Sequence, residues 1–414
     1  MTIPFTMVGK IAPIKTTDKF IPYDERVTDS GWKMRKLSFN GLDAGSKHFL
    51  RISGMCKADE SNKIYTYKRR ENYNSKEKAE ELQIPFKERL SKKWVDQVDP
   101  YRLFVIDLEK PGRRSQLKSA VETIKKGETV TEETLKELGL ESADKVNAAY
   151  EASLKKRKEY ISAYDFAEMV NKLLSSDKYK NAKFKIKGTR DIQYKADFNG
   201  VWDNLEVQKI YLAADDEKEC ANELVRCYFN SDSIVEGEKE FIINGRTFAY
   251  DRRFKDMPCK GNIATPYSFV IKKPEAVSDE TEKRKNKKLI SIFTEQIEEN
   301  VWYETNIICE MINGSESSMI TFDDLDDDLK EDVELGLISE RDAIEAMGGT
   351  IQGEIIKESV LKGFGKRSAK VHVEATDYED EAFALPIEEE KNEPEDMNAS
   401  DDDDLVFDDI DDIV

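Results

Sequence analysis

The chain has 414 residues and a formal net charge of −20, with 39% hydrophobic and 36% charged residues. This length predicts two or three domains. No apolar run approaches the roughly 20 residues that a membrane-spanning helix needs, so we expect no membrane partner. Five cysteines are scattered and form no C-x-x-C pair, which favours free thiols in a reducing cytoplasm.

Residues 1–110 are predicted to form a β-rich domain with a net charge of +6, from 22 basic and 16 acidic residues. The turn residues Asn40, Gly41 and Gly45 favour a hairpin connection. A charged helical piece is expected around residues 75–94. Candidate strands cover residues 5–11, 32–39, 47–56, 63–67 and 102–108. About five short strands with a helix in one connection are typical of a small closed barrel such as the OB-fold, although other small β folds fit nearly as well.

Residues 111–182 have helical character and are predicted to form a helical insertion or connector between β-rich parts. Leu, Ala, Lys and Glu recur there at periods of three and four. Thr131 followed by Glu132 and Glu133 is typical of a helix start, and Gly139 is expected to end that helix.

Residues 183–275 return to strand character around an Asn199-Gly200 turn and form a second β-rich, OB-like segment. Two arrangements remain open for it. The segment is either a second barrel or the missing half of the first barrel, split by the helical insertion. The expected fold class is therefore α+β, with a barrel core that is one split barrel or two barrels.

The last two regions differ sharply in composition. Residues 276–370 are predicted to be a helical region, punctuated by Gly336, Gly348 and Gly353. Residues 371–414 lose all periodicity and are predicted to be a disordered acidic tail.

Two clusters interleave aromatic and basic residues inside predicted strands. This combination suits single-stranded nucleic acid, because aromatic faces stack on unpaired bases while cations follow the phosphates. The structural interpretation is that the aromatic rings are core and the basic residues a solvated rim. The first cluster is Tyr65, Tyr67, Lys68, Arg69, Arg70 and Tyr73, and the second is Arg246, Phe248, Tyr250, Arg252, Arg253 and Phe254.

Sequence signatures of enzymes are absent. The chain has no phosphate-binding loop, dinucleotide fingerprint, nucleophile elbow or H-E-x-x-H pair. Only two histidines are present, His48 and His372, and no Cys/His cluster has zinc-ligand spacing. We therefore expect a protein that is not an enzyme and that uses no cofactor and no metal.

The most distinctive segment is the last fourteen residues, DDDDLVFDDIDDIV, in which eight aspartates alternate with six large apolar residues. Residues 374–414 hold 19 acidic residues and one basic residue, which accounts for −18 of the whole-chain charge of −20. Adjacent carboxylates cannot be buried together in a core. The apolar residues among them predict an arm that docks on another protein.

The β-rich body, its basic aromatic clusters and this acidic tip together resemble the single-stranded-DNA-binding proteins of bacteria and their large phages. The resemblance implies an OB-fold body that wraps single strands and an acidic tip that docks replication and repair enzymes and competes with DNA for the basic groove. The bacterial tip ends in Pro-Phe, whereas this chain ends in Ile413-Val414, so a phage-encoded partner in a host cytoplasm suits it better. The tip residues that would contact the partner are Phe407, Asp408, Asp409, Ile410, Asp411, Asp412, Ile413 and Val414.

The expected function is the coating of single-stranded DNA in replication or recombination, with partner proteins recruited through the tail. The alternative is an acidic interaction or scaffolding protein with no nucleic-acid role, in which both clusters are core plus rim. Exposure of Tyr65, Tyr67, Tyr250 and Phe254 along a positive groove would favour the first function. The oligomeric state, the site size and the preference for DNA over RNA stay open.

Overall fold

The computed structural model describes residues 3–17, 20–44, 46–73, 78–195, 200–250, 255, 260–295, 297–313, 357–365 and 372–383, with the isolated residues 325, 329, 330, 333, 335, 337 and 343. Strands dominate this part of the chain. The strands are β1 (Ile3–Pro13), β2 (Tyr23–Val27), β3 (Trp32–Asp43), β4 (Ser46–Lys57), β5 (Lys63–Tyr67), β6 (Glu81–Pro85), β7 (Phe104–Asp107), β8 (Arg157–Tyr160), β9 (Phe184–Lys195), β10 (Gly200–Leu212), β11 (Cys220–Phe229), β12 (Ile234–Glu236), β13 (Glu240–Tyr250), β14 (Asn262–Lys272), β15 (Tyr303–Asn313), β16 (Lys357–Phe364) and β17 (Glu374–Ala375). The α-helices are α1 (Lys92–Val95), α2 (Arg113–Lys125), α3 (Glu132–Glu137), α4 (Val146–Lys155), α5 (Ala163–Leu174) and α6 (Glu280–Thr294).

Five strands close into a barrel in the order β1, β3, β4, β10, β9 and back to β1. Every neighbouring pair is antiparallel except β4 and β10, which run parallel. Because side chains alternate across a strand, every second one points into the barrel. The fully buried interior side chains include Phe5, Phe39, Leu50, Phe184 and Ile210. This closed barrel and the accompanying helices confirm the predicted α+β class.

Helix α5 covers one end of this barrel. It begins at Ser162, whose hydroxyl accepts a hydrogen bond from the backbone N–H of Tyr164, and it packs Phe166 and Val170 on the barrel core. A β-carbon on Gly54 of β4 would lie 2.2 Å from the backbone nitrogen of Tyr164. A glycine at this position therefore lets the helix start approach the strand.

A second ring of strand pairings runs through β11, β13, β14, β16 and β15 and back to β11. Strands β14 and β16 are parallel, joined at Val270 and Val360, and the other pairs are antiparallel. Helix α6 lies between the third and fourth strands of this ring and packs Leu289 and Phe293 on its core. The connectivity thus repeats that of the first barrel, in which α5 also lies between the third and fourth strands.

The two rings share one continuous sheet, because β1 pairs antiparallel with β11. The sequence left one barrel and two barrels as alternatives, and the chain contains two rings. Strands β9 and β10, which the sequence placed in the segment 183–275, complete the first ring by pairing with β1 and β4. Helices α2 to α4 lie between β7 and β8 and pack around Leu117, Val121 and Val146, apart from both ring cores.

Of four local predictions, two are confirmed and two differ from the structure in part. Thr131 caps α3 by accepting a hydrogen bond from the backbone N–H of Thr134, and Gly139 follows the helix at φ +64°, both as predicted. A helix was predicted around residues 75–94, but the described part of this stretch, from residue 78 onward, contains β6, a 3-10 turn at Phe86–Glu88 and the one-turn α1. Residues 276–370 contain the predicted helical structure in α6, but they also contain the strands β15 and β16. The alternating burial along β15 shows the period of two that this prediction overlooked.

Buried thiols inside the second ring predict a loss of stability at alkaline pH. Burial raises the pKa of the Cys227 thiol to about 12, and it raises the pKa of Cys309 well above its ordinary value. In the unfolded chain both thiols ionise near pH 8.5 to 9, while the folded chain keeps them protonated. The contribution of these two thiols to the free energy of unfolding is therefore expected to be constant below about pH 8 and to fall as the pH rises toward 12.

Urea unfolding at pH 7, 8, 9 and 10 measures this dependence. The variant Cys227→Ala is expected to lose less stability between pH 8 and 10 than the wild type, because one ionising thiol is gone. Equal slopes for the two proteins over that interval would contradict the expectation.

Candidate nucleic-acid interface

The outer side of strand β4 carries a row of alternating basic and apolar residues. His48, Leu50 and Ile52 are buried on the inner side, while Phe49 on the outer side is 43% exposed and Met55 is 56% exposed. We call the row of outward residues the β4 face. The β4 face consists of Lys47, Phe49, Arg51, Ser53 and Met55.

The ring of Phe49 packs partly against Phe20 and is partly exposed to solvent. Its ring lies 6.0 Å from that of Phe20, centroid to centroid, at an angle of 59°. Phe20 comes from the loop between β1 and β2, which therefore covers one edge of the β4 face. A large aromatic ring left this exposed between two basic residues is suited to stack on a planar ligand.

Two cations, Arg51 of the β4 face and Lys36 of the neighbouring strand β3, lie close together. Arg51 lies opposite Ser38 on β3, and Lys36 lies two residues from Ser38 on the same outward side. Burial, followed by the nearby charge of Arg51, lowers the pKa of Lys36. Glu206 on β10 partly offsets these charges, with Oε1 at 3.3 Å from Nε of Arg51. A bound anion would relieve the repulsion between Lys36 and Arg51.

The first predicted cluster lies on the two-stranded ribbon formed by β5 and β6. Tyr65 is 54% exposed and shares one side of β5 with Tyr67, as the alternation of the strand predicted. Tyr67 is half-buried, and the guanidinium carbon of Arg102 lies 4.9 Å from its ring centroid. The two tyrosines are therefore at the surface, one of them under a cation.

Tyr73 extends this surface toward strand β10. Its ring meets that of Tyr101 edge-on at 5.4 Å, and its hydroxyl donates to Asp99 at 3.4 Å. The ammonium of Lys209 on β10 lies 5.4 Å from the Tyr101 ring centroid. We call this group the ribbon patch. It consists of Tyr65, Tyr67, Tyr73, Tyr101 and Arg102.

The basic members of the first cluster have different surroundings. Lys68 donates to Glu80 at 2.7 Å, so its charge is partly matched. Arg69 is exposed and Arg70 is half-buried. Of the three, Arg69 is the most accessible to a phosphate.

Strand β10 connects the two surfaces. Glu206 lies next to Arg51 in the parallel register with β4, and Lys209, three residues further along, reaches Tyr101 of the ribbon patch. The β4 face and the ribbon patch therefore flank the same strand. Each of them carries an exposed aromatic ring and basic groups.

The second predicted cluster has a different environment. Tyr250 is 50% exposed and Arg246 is half-buried, with Nη1 donating to the carbonyl of Gly245 at 3.3 Å. Phe248 packs in an aromatic group with Tyr228, Tyr378 and Phe383, which matches the core interpretation for this ring. Arg252, Arg253 and Phe254 lie outside the described residues.

The tail residues predicted to contact a partner also lie outside the described residues. These are Phe407, Asp408, Asp409, Ile410, Asp411, Asp412, Ile413 and Val414.

Sequence reasoning missed Phe20, Lys36 and the β4 face, although a signal was present. In the stretch KHFLRISGM, the row Lys47, Phe49, Arg51 and Ser53 alternates at a period of two with a row that contains Leu50 and Ile52. That period separates an inward row from an outward one, so Phe49 and Arg51 were recognisable as neighbours on one face. The sequence alone did not show which of the two rows points away from the barrel interior.

His48 is buried, and its Nε2 lies 3.1 Å from Oδ1 of Asp43, which makes it a structural residue. In the described ranges, no three His, Cys, Asp or Glu side chains are placed to hold a metal ion. None of the helices there is both long and apolar enough to cross a membrane. Comparison of the sequence with protein-family models and with curated proteins gave no match.

Proposed function

We propose that this protein binds single-stranded DNA on the outer surface of its first barrel. The observation that carries the proposal is the β4 face, where the exposed ring of Phe49 lies between Lys47 and Arg51. The ring supplies a stacking platform for an unpaired base, and the cations supply contacts for the flanking phosphates. Paired bases offer no free face to such a ring, so the chemistry favours single strands.

The connectivity of the barrel supports the proposal, and we assign it to the OB-fold. The first three strands form a meander, the third and fifth strands are parallel, and α5 lies between the third and fourth strands. OB-folds bind oligonucleotides on the face of their second and third strands. Those strands are β3 and β4 here, the strands that carry Lys36, Phe49 and Arg51.

The ribbon patch extends the proposed surface. Tyr65 offers an exposed ring, and Tyr67 and Tyr73 add rings with basic groups close by. Backbone contacts and stacking carry little base specificity, so the protein coats DNA regardless of sequence. We propose no catalytic step and no cofactor.

We place this activity in DNA replication or recombination because of the composition of the tail. Its aspartates match a basic rim on a partner protein, and its apolar residues match a pocket. In this proposal the partner proteins are recruited through residues 401–414.

A second candidate is an acidic interaction or scaffolding protein with no nucleic-acid role. The packing of Phe248 among other aromatic rings supports it, because this residue of the second cluster then serves the core and not a ligand. The exposure of Phe49 and Tyr65 favours the DNA-binding proposal over it.

A salt-titrated binding assay tests the proposal. Labelled oligo-dT and a duplex of the same length are titrated with the full chain at several salt concentrations. We expect affinity for oligo-dT to fall linearly on a log–log plot, with a slope of about −0.7 for each phosphate contacted, and the duplex to bind more weakly. No binding to oligo-dT at low salt, or equal binding to the duplex, would overturn the proposal.

A further inference from the structure

The segment formed by residues 372–383 crosses the outer surface of the second ring, and we call it the strap. Its strand β17 pairs with β15 at Tyr303 and Glu304. The backbone N–H of Thr376 donates to the carbonyl of Trp302 at 2.8 Å, and the indole N–H of Trp302 donates to Asp380 at 2.7 Å. The strap is therefore fixed along one edge of the ring.

Aromatic stacking holds the end of the strap. The ring of Phe383 stacks on Trp302 at 3.8 Å and 21°, and on Phe248 at 5.6 Å and 24°. Tyr378 meets Tyr228 edge-on at 5.7 Å and lies 5.5 Å from Phe248. Two rings of the strap thus cover three rings of the body.

The surface under the strap lies on the strands of the second ring that correspond to β3 and β4 of the first barrel. The second and third strands of the second ring are β13 and β14, as β3 and β4 are in the first. Arg246, Phe248 and Tyr250 alternate along β13 and point away from the interior, whereas Ile243 and Ala249 point inward. Rings and a basic residue therefore occupy an outer surface of this ring too, but here the chain itself covers Phe248.

The strap has the chemistry of the ligand that such a surface would take. The ring of Phe383 lies flat on Trp302 and Phe248 as a base would. Residues 374–383 contain five carboxylates and no basic residue, so they also supply negative charge along the chain, as phosphates do. The acidic members are Glu374, Asp377, Glu379, Asp380 and Glu381.

We propose that the outer surface of the second ring is a second single-stranded-DNA-binding surface, which the strap occupies until DNA displaces it. This inference rests on the proposed function. The strap is tethered to the surface it covers, so it competes at a high effective concentration. A strand already held on the first barrel is tethered as well, so DNA long enough to reach both surfaces displaces the strap and shorter DNA does not.

The test compares the full chain with the double variant Tyr378→Ala/Phe383→Ala, in titrations with oligo-dT of increasing length. We expect the double variant to bind long oligo-dT about tenfold more tightly, and to reach its maximal affinity at shorter lengths than the wild type. The additional substitution Phe248→Ala should remove this gain, because the uncovered ring is lost. Tyr378→Phe is the matched control and should behave as wild type, since it keeps the ring.

The outcomes separate this inference from the function it rests on. Binding by the wild type with no gain in the double variant overturns the second surface and leaves the first intact. A gain that survives Phe248→Ala also overturns it, because the aromatic side chain uncovered on β13 would then play no part in binding. Loss of binding in every protein, the wild type included, overturns the proposed function and the inference together. Should the double variant fail to fold, Tyr378→Ala alone gives the same comparison.

Discussion

Replacing Phe49 with alanine is expected to weaken binding to oligo-dT by about 5- to 150-fold, equivalent to ~1–3 kcal/mol for one lost base stack. The ring is 43% exposed and lies outside the barrel core, so its removal should change the free energy of unfolding little. Fluorescence anisotropy at low salt measures the binding, and urea unfolding measures the stability.

Met55 offers a matched control on the same face. It is also large, apolar and exposed, but it has no aromatic ring, so Met55→Ala should leave the affinity nearly unchanged. Phe49→Trp should keep the affinity because it keeps a stacking surface. If Phe49→Ala binds oligo-dT as tightly as the wild type, or if Met55→Ala costs as much, stacking on the β4 face is wrong.

Replacing Arg190 with methionine is expected to destabilise the protein by about 3–5 kcal/mol. Arg190 on β9 donates from Nη1 to both carboxylate oxygens of Glu223 on β11, at 3.0 and 3.1 Å, and from Nε to Asp203 at 2.6 Å. Glu223 is fully buried and also accepts hydrogen bonds from Tyr267 at 2.8 Å and Ser359 at 3.0 Å. The variant leaves this carboxylate without its cation at the junction of the two rings.

Two further variants separate the buried charge from the loss of packing. Arg190→Met combined with Glu223→Leu should be more stable than Arg190→Met alone, because no uncompensated charge stays in the interior. Lys172→Met removes one partner of an exposed pair with Glu168 and should cost less than 1 kcal/mol. Urea unfolding of all three measures the differences. A cost below about 1 kcal/mol for Arg190→Met would contradict the role given to this network.

Some local features were predicted well from the sequence alone. The cap at Thr131 and the strands of residues 1–57 depend on neighbouring residues, which the sequence displays directly. The ring closures depend on contacts between distant segments. The sequence of strands β5 and β7 predicted that they belong to the first barrel, but β9 and β10 are its fourth and fifth strands instead. Their pairing with β1 and β4 spans the whole helical insertion and leaves no mark in any short window.

The surfaces proposed to bind DNA likewise depend on both local sequence and distant contacts. Phe49 and Phe248 both alternate with a basic residue along a strand, so the local pattern treats them alike. Phe49 is open, whereas Phe248 is covered by Phe383, a residue far along the chain. Tyr65 was predicted from the sequence to be a stacking residue. Its ring is exposed on the outward side of the β5–β6 ribbon. Exposure of an aromatic ring is thus set by distant packing, which strand periodicity does not encode.

Photocrosslinking of the full chain to oligo-dT that contains 5-iodouracil, followed by mass spectrometry of the crosslinked peptides, tests the location of the DNA most directly. Aromatic side chains that stack on a base are the groups expected to react. We predict crosslinks at Phe49 and in the peptide that contains Tyr65. Crosslinks confined to helices α2 to α4, or to peptides far from the β4 face and the ribbon patch, would contradict DNA binding on the outer surface of the first barrel.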